Sequence, residues 1–156
     1  MNKICIIGVG PGAGEYLLPI ALKRIKDADC LIGARRALDL FPRFKKKKIC
    51  FDGRLSRVIP YLKKHREDKK IALLVSGDPG LYSLAQTIAR EFKKEEYQII
   101  PGISSLQLAF ARIGESWQDV KIISLHGRKI SNEVLEDVKN YPKVFIFTDD
   151  KFLPSA

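Results

Sequence analysis

The chain has 156 residues, 46% of them hydrophobic, enough for one good core and part of a second and too apolar for a disordered segment. It carries 28 Lys and Arg against 18 Asp and Glu, a formal net charge of +10, which admits three kinds of partner: nucleic acid, a membrane surface or a polyanionic small molecule. No apolar run is long enough to span a bilayer, and Gly8, Gly10, Pro11 and Gly12 end the first apolar stretch too soon for a signal peptide.

Residues 3–9 read as a first buried strand, and the glycine-rich loop 8–15 opens a helix through Ala21 to Lys26 with Leu17, Leu18, Ala21, Leu22 and Ile25 on its apolar face. A second strand is predicted at 28–33, a short helix at 34–40 stopped by Pro42, and a brief strand at 48–51. The helix 58–65 has Pro60 in or near its first turn, where a missing N–H is tolerated. The strand 70–75 runs into Ser76-Gly77-Asp78-Pro79-Gly80, after which Leu81, Leu84, Ala85, Ile88, Ala89 and Phe92 fall on one helical stripe. A strand at 97–100 turns through Pro101-Gly102-Ile103-Ser104-Ser105 into a helix over 106–113. Alternating strands and helices predict an α/β fold with a parallel sheet covered on both faces. The expected domain boundary follows Gly114, giving domains 1–114 and 115–156. Beyond it, strands at 120–125 and 143–147 and a helix at 131–139 cannot bury a core alone, so either they extend the first sheet or a second α/β domain is cut short.

Three small-residue turns, Gly10-Pro11-Gly12, Gly77-Asp78-Pro79 and Pro101-Gly102-Ile103-Ser104-Ser105, each follow a strand. A parallel sheet places them along one edge, as a cleft of backbone polar groups with one carboxylate and two hydroxyls, suited to a neutral or cationic ligand. Asp78 either contacts that ligand or caps the following helix, and Ser104 is open to the same two roles. Gly8-x-Gly10-x-x-Ala13 fits the dinucleotide fingerprint formally, and Arg35 and Arg36 suit the 2′-phosphate of NADP, but Pro11 removes an N–H from the loop that would cradle a pyrophosphate. Cys5, Cys30 and Cys50, without a Cys-x-x-Cys, read as reduced thiols packed in a cytosolic core, and two histidines give no metal site. The lysine clusters at 45–48 and 63–70 lack the interleaved aromatics of a nucleic-acid surface and read as solvated loops and helix ends.

These motifs together resemble the tetrapyrrole methylases. The resemblance is carried by Ile6-Ile7-Gly8-Val9-Gly10-Pro11-Gly12, Ala28-Asp29-Cys30-Leu31-Ile32-Gly33, Ser76-Gly77-Asp78-Pro79 with Tyr82-Ser83, and Pro101-Gly102-Ile103-Ser104-Ser105, in order and in spacing. Gly33-Ala34-Arg35-Arg36 and Ser124-Leu125-His126-Gly127-Arg128 are similar to the branch that methylates carbon 5 of a corrin precursor, cobalt-containing or metal-free, in cobalamin synthesis. The resemblance implies S-adenosylmethionine as donor, folded between two α/β domains, a homodimer in the cytoplasm, and a polycarboxylate tetrapyrrole substrate, with neither nucleic acid nor membrane as partner. It implies donor contacts from Pro11, Ser76, Gly77, Asp78, Leu81, Ser104, Ser105 and Thr148. Relatives continue with strands that close the second domain, and this chain ends at Ala156.

Transfer of a sulfonium methyl to a ring carbon needs alignment and desolvation rather than a triad. Lys and Arg around the cleft, Arg35 among them, are expected to neutralise the substrate's carboxylates. His126 and Arg128 follow a strand, with Gly127 permitting a sharp turn between them. Arg128 is assigned to grip a substrate carboxylate, and His126 to orient the substrate or accept a proton. Two rival readings are an NADP-dependent reductase using the first glycine loop and a basic nucleic-acid-binding module using the lysine clusters.

Overall fold

The computed structural model describes residues 3–51, 57–125 and 131–148. The chain divides into two compact units, Met1–Ser105 and Leu106–Ala156. In the first, β1 (Ile4–Gly8), β2 (Cys30–Gly33), β3 (Lys47–Cys50), β4 (Ile71–Val75) and β5 (Tyr97–Ile100) form one parallel sheet in the order β3-β2-β4-β1-β5. The connections from β1 to β2 and from β2 to β3 step toward one edge, and those from β3 to β4 and from β4 to β5 step back. Right-handed crossovers therefore place α1 (Pro19–Asp27) and α2 (Arg35–Asp39) on one face, and α3 (Val58–His65) and α4 (Ala85–Glu91) on the other.

The packing follows this rule. Ile7, Leu31, Ala72 and Leu74 meet Ala21, Ile25, Ala37 and Leu38 on the first face. Ile4, Ile6, Ile32 and Leu73 meet Val58, Leu62, Ile88 and Phe92 on the second. Successive strand residues point to opposite faces, and both faces are covered, so β4 is buried at every position. Each fully buried Ile or Leu contributes about 1.5–3 kcal/mol.

Two helices start later than their apolar spacing predicts. α1 begins at Pro19, after a 3-10 turn at Gly14–Tyr16, which leaves Leu22 37% exposed rather than in the core. α4 begins at Ala85 because Asp78 draws the N–H groups of Gly80 and Leu81 into a local turn and Tyr82 takes a φ of +47°, which no α-helix accommodates. The lysine run forms edge strand β3 as well as loop: Lys48 Nζ donates to the Phe41 carbonyl at 2.5 Å and Lys46 Nζ to that of Ala28 at 2.9 Å. Charged side chains of this kind discourage another strand from adding to the edge.

In the second unit β6 (Lys121–Ser124) and β7 (Val144–Phe147) pair in parallel as their own two-stranded sheet, connected by α6 (Asn132–Asn140), and do not extend the first sheet. From Leu106 on, α5 (Ser105–Ile113) belongs with this unit, where the Phe110 ring lies 6.4 Å from Phe145 and Phe145 lies 4.9 Å from Phe147. The units thus divide ahead of the expected boundary. Gly114, at φ +71°, marks where α5 stops. Lys143 pairs with Glu115 at 2.5 Å and Lys121 with Asp137 at 3.1 Å, while Leu135 and Val138 of α6 are exposed.

Candidate functional site

The carboxyl ends of all five parallel strands share one edge of the first sheet, the edge at which open α/β sheets bind ligands. β4, β1 and β5 are neighbours there, so the three small-residue turns emerge side by side. Val9 donates to the Val75 carbonyl at 2.9 Å, and Gly10 and Gly77 exchange backbone bonds of 3.3 and 2.8 Å in an antiparallel bridge. Gly77 sits at φ +66°, a left-handed conformation that favours glycine. A β-carbon on Gly8 would stand 2.6 Å from the Gly77 oxygen and 2.7 Å from the Gly102 nitrogen, and one on Gly102 would overlap the same Gly77 oxygen. Backbone meets backbone here, so no side chain fits.

Asp78 braces the edge. Its Oδ1 accepts the Gly80 N–H at 2.7 Å, its Oδ2 accepts the Gly102 N–H at 3.0 Å, and its backbone carbonyl accepts the Leu81 N–H at 3.2 Å. The helix-capping role is ruled out, since α4 begins only at Ala85.

Pro11 is half-buried after β1, and exposed Ser76 and half-buried Leu81 flank the Asp78 turn. Ser104, 4% exposed, and exposed Ser105 lie where the β5 loop enters α5. Arg35, exposed at the start of α2, follows β2, the strand beside β4. The fold thus brings Pro11, Ser76, Gly77, Asp78, Leu81, Ser104, Ser105 and Arg35 to one sheet edge. Thr148 is exposed directly after β7 in the second unit. His126 and Arg128 lie outside the described residues.

The lysine clusters occupy the opposite edge. Residues 45–48 lead into β3 and residues 63–70 lead into β4, so both sit at the amino ends of strands and do not supply the cations expected around the loops. Several are already paired: Lys46 with Asp29 at 3.5 Å, Lys63 with Glu91 at 2.7 Å, and Arg66 with Glu96. The Lys70 N–H, followed by Lys46, holds the Asp29 carboxyl below its ordinary range despite some desolvation. His65, 4.4 Å from the Tyr61 ring, has its pKa lowered by desolvation and then by Lys69, Lys64 and Lys47. Burial raises the thiols of Cys5 and Cys30. Among the described residues no group of three His, Cys, Asp or Glu could hold a metal ion, and no helix is long and apolar enough to cross a membrane.

The first glycine loop does not open directly into a helix, because a 3-10 turn intervenes before α1. A dinucleotide fingerprint needs that helix N-terminus against its pyrophosphate. Tyr82, which follows the Asp78 turn, has a backbone conformation with no signal in the sequence.

The family model described as Tetrapyrrole (Corrin/Porphyrin) Methylases matches residues 3–155. The chain is 40% identical to a Methanocaldococcus jannaschii protein described as "Probable cobalt-precorrin-7 C(5)-methyltransferase", over 96% of this chain and 75% of that protein. It is 33% identical to the cobalt-precorrin-7 C(5)-methyltransferase of Salmonella typhimurium, over 97% of this chain and 73% of that one. Among solved structures, the cobalamin biosynthesis precorrin-6Y methylase of Archaeoglobus fulgidus superposes with a TM-score of 0.76 at 26% identity, covering 96% of this chain and 75% of that chain. The chain belongs to the tetrapyrrole (corrin/porphyrin) methylases.

Proposed function

We propose that the protein is an S-adenosylmethionine-dependent C-methyltransferase that methylates carbon 5 of a cobalt-precorrin or precorrin intermediate in cobalamin biosynthesis. The observation that carries this reading is that relatives named for the C(5) reaction align across nearly the whole chain, at 40% and 33% identity. The sheet edge suits such a donor: Gly8 and Gly102 let the loops pack backbone on backbone there, and Gly77 adds no side chain between them. When bound, the donor supplies an activated methyl group. Pro11, Ser76, Gly77, Leu81, Ser104 and Ser105 would hold and orient it, Asp78 would keep two of the loops in place, and Thr148 would add a further contact. Arg35 and Arg128 would grip substrate carboxylates as charge-assisted pairs, and His126 would orient the substrate or accept a proton. Assembly as a homodimer and action in the cytoplasm belong to the same reading.

The test is incubation with donor labelled at the methyl carbon and each candidate precorrin, followed by NMR of the product. Label at carbon 5 is expected; label at another ring carbon would reassign the position, and no transfer to any tetrapyrrole would refute the activity.

A further inference from the structure

Among the described residues Tyr82 is the one non-glycine residue with a positive φ, +47°. L side chains rarely adopt this conformation, and residues held in it cluster at ligand sites. The residue is also 54% exposed. Tyr82 lines a depression of about 360 Å3 together with Pro79, Gly80, Ser83, Ala85 and Gln86. The lining is an aromatic ring with apolar Pro79 and Ala85 beside it, plus the Tyr82 and Ser83 hydroxyls and the Gln86 carboxamide. None of these groups is charged.

The wall is held in place by the brace already described. Gly80 donates to Asp78 Oδ1 at 2.7 Å, and the other oxygen of the same carboxylate accepts from Gly102. The depression is therefore fixed to the edge where the three small-residue loops meet. Its volume is at the lower end of the range for small-molecule sites, about 300–1,000 Å3, so it suits one edge of a macrocycle rather than the whole.

We infer that this depression seats one pyrrole edge of the tetrapyrrole substrate. The Tyr82 ring stacks on the conjugated system, and Ser83 and Gln86 donate hydrogen bonds to a carboxylate substituent. The inference rests on the methylase reading. The rival occupant is the adenine of the donor, which would use the same aromatic surface.

The experiment titrates wild type, Tyr82→Gly, Tyr82→Phe and Gln86→Ala with uroporphyrin III, a stable polycarboxylate tetrapyrrole, by fluorescence quenching. Each is also titrated with S-adenosylhomocysteine by calorimetry and melted thermally. Glycine is at home at positive φ but loses more backbone freedom on folding, so the two effects offset and Tyr82→Gly is expected to melt close to wild type and to bind S-adenosylhomocysteine equally. It is expected to lose about tenfold in porphyrin affinity, the scale of one lost aromatic stack. Tyr82→Phe keeps porphyrin affinity within about threefold, and Gln86→Ala weakens it by about three- to tenfold. Unchanged porphyrin affinity in Tyr82→Gly would overturn the inference, as would a wild type that binds no porphyrin. A loss confined to S-adenosylhomocysteine would give the depression to adenine, and a lowered melting temperature in Tyr82→Gly would make the ring a packing element. Failure of wild type to bind S-adenosylhomocysteine would strike the methylase reading itself.

Discussion

Asp78 and Gly102 are joined over the end of an intervening strand. Gly102 N–H donates to Asp78 Oδ2 at 3.0 Å, linking the loop after β4 to the loop after β5, and β1 lies between those two strands. β1 ends in Gly8, whose missing β-carbon leaves the Gly77 carbonyl and the Gly102 amide room to close over it.

Gly8→Ala is therefore expected to destabilise the first unit by about 1–3 kcal/mol, because the obstructing atoms are backbone and cannot move aside as a flexible side chain would. Gly14, where an added β-carbon would meet nothing within 4 Å, is the control, and Gly14→Ala should be close to neutral. Urea midpoints of the two variants against wild type decide it. Equal midpoints for Gly8→Ala and Gly14→Ala would remove the close approach as a constraint.

Replacing the brace should act in steps. Asp78→Asn keeps one side-chain acceptor and loses the other, whereas Asp78→Ala leaves the N–H groups of both Gly80 and Gly102 without that partner. With about 1.5–3 kcal/mol for a hydrogen bond to a charged group, Asp78→Ala should be the less stable and should bind S-adenosylhomocysteine more weakly, with Asp78→Asn between it and wild type. Calorimetry with denaturation of the same samples measures both. If Asp78→Ala kept wild-type stability but lost ligand, the carboxylate would be a direct contact rather than a brace.

Acidification should weaken the fold through His65. Desolvation and the neighbouring Lys69, Lys64 and Lys47 lower its folded pKa, so near pH 6 the unfolded chain binds more protons at this residue than the folded one. Its contribution is fully present above the unfolded value of about 6.5 and is lost as pH falls through the lower folded value. Denaturation midpoints between pH 5 and 8 should therefore rise with pH. His65→Gln should flatten that part of the slope, and an unchanged slope would exclude His65 as its source.

Steady-state kinetics distinguish the roles proposed for His126 and Arg128. Arg128→Ala should raise KM for the tetrapyrrole by about tenfold or more with donor affinity unchanged, as expected for loss of a bidentate carboxylate contact. His126→Ala should lower kcat by about 10²-fold or more if it moves a proton and leave KM near wild type. Wild-type parameters in both variants would withdraw both roles.

Which strands and helices form was legible in the chain itself, because continuous apolar runs such as Ile71 to Val75 and small-residue turns after them are local signals of buried parallel strands. The motifs in order and spacing also sufficed to recognise the family, and the family match bears that out. The order β3-β2-β4-β1-β5 depended on long-range pairing, which local periodicity does not encode. That order put the glycine loops on adjacent strands and sent the lysine clusters to the opposite edge, although the charge count alone treats all cations alike. It also gave Asp78 its partner, since a carboxylate in a turn reads as a cap until a second loop, 24 residues away, offers it an amide. Tyr82 marks the same divide: apolar spacing continued a helix through it, and the turn drawn in by Asp78, itself tied to Gly102, broke that helix, because the hydrogen bonds of the turn outweigh a propensity of a few tenths of a kcal/mol per residue.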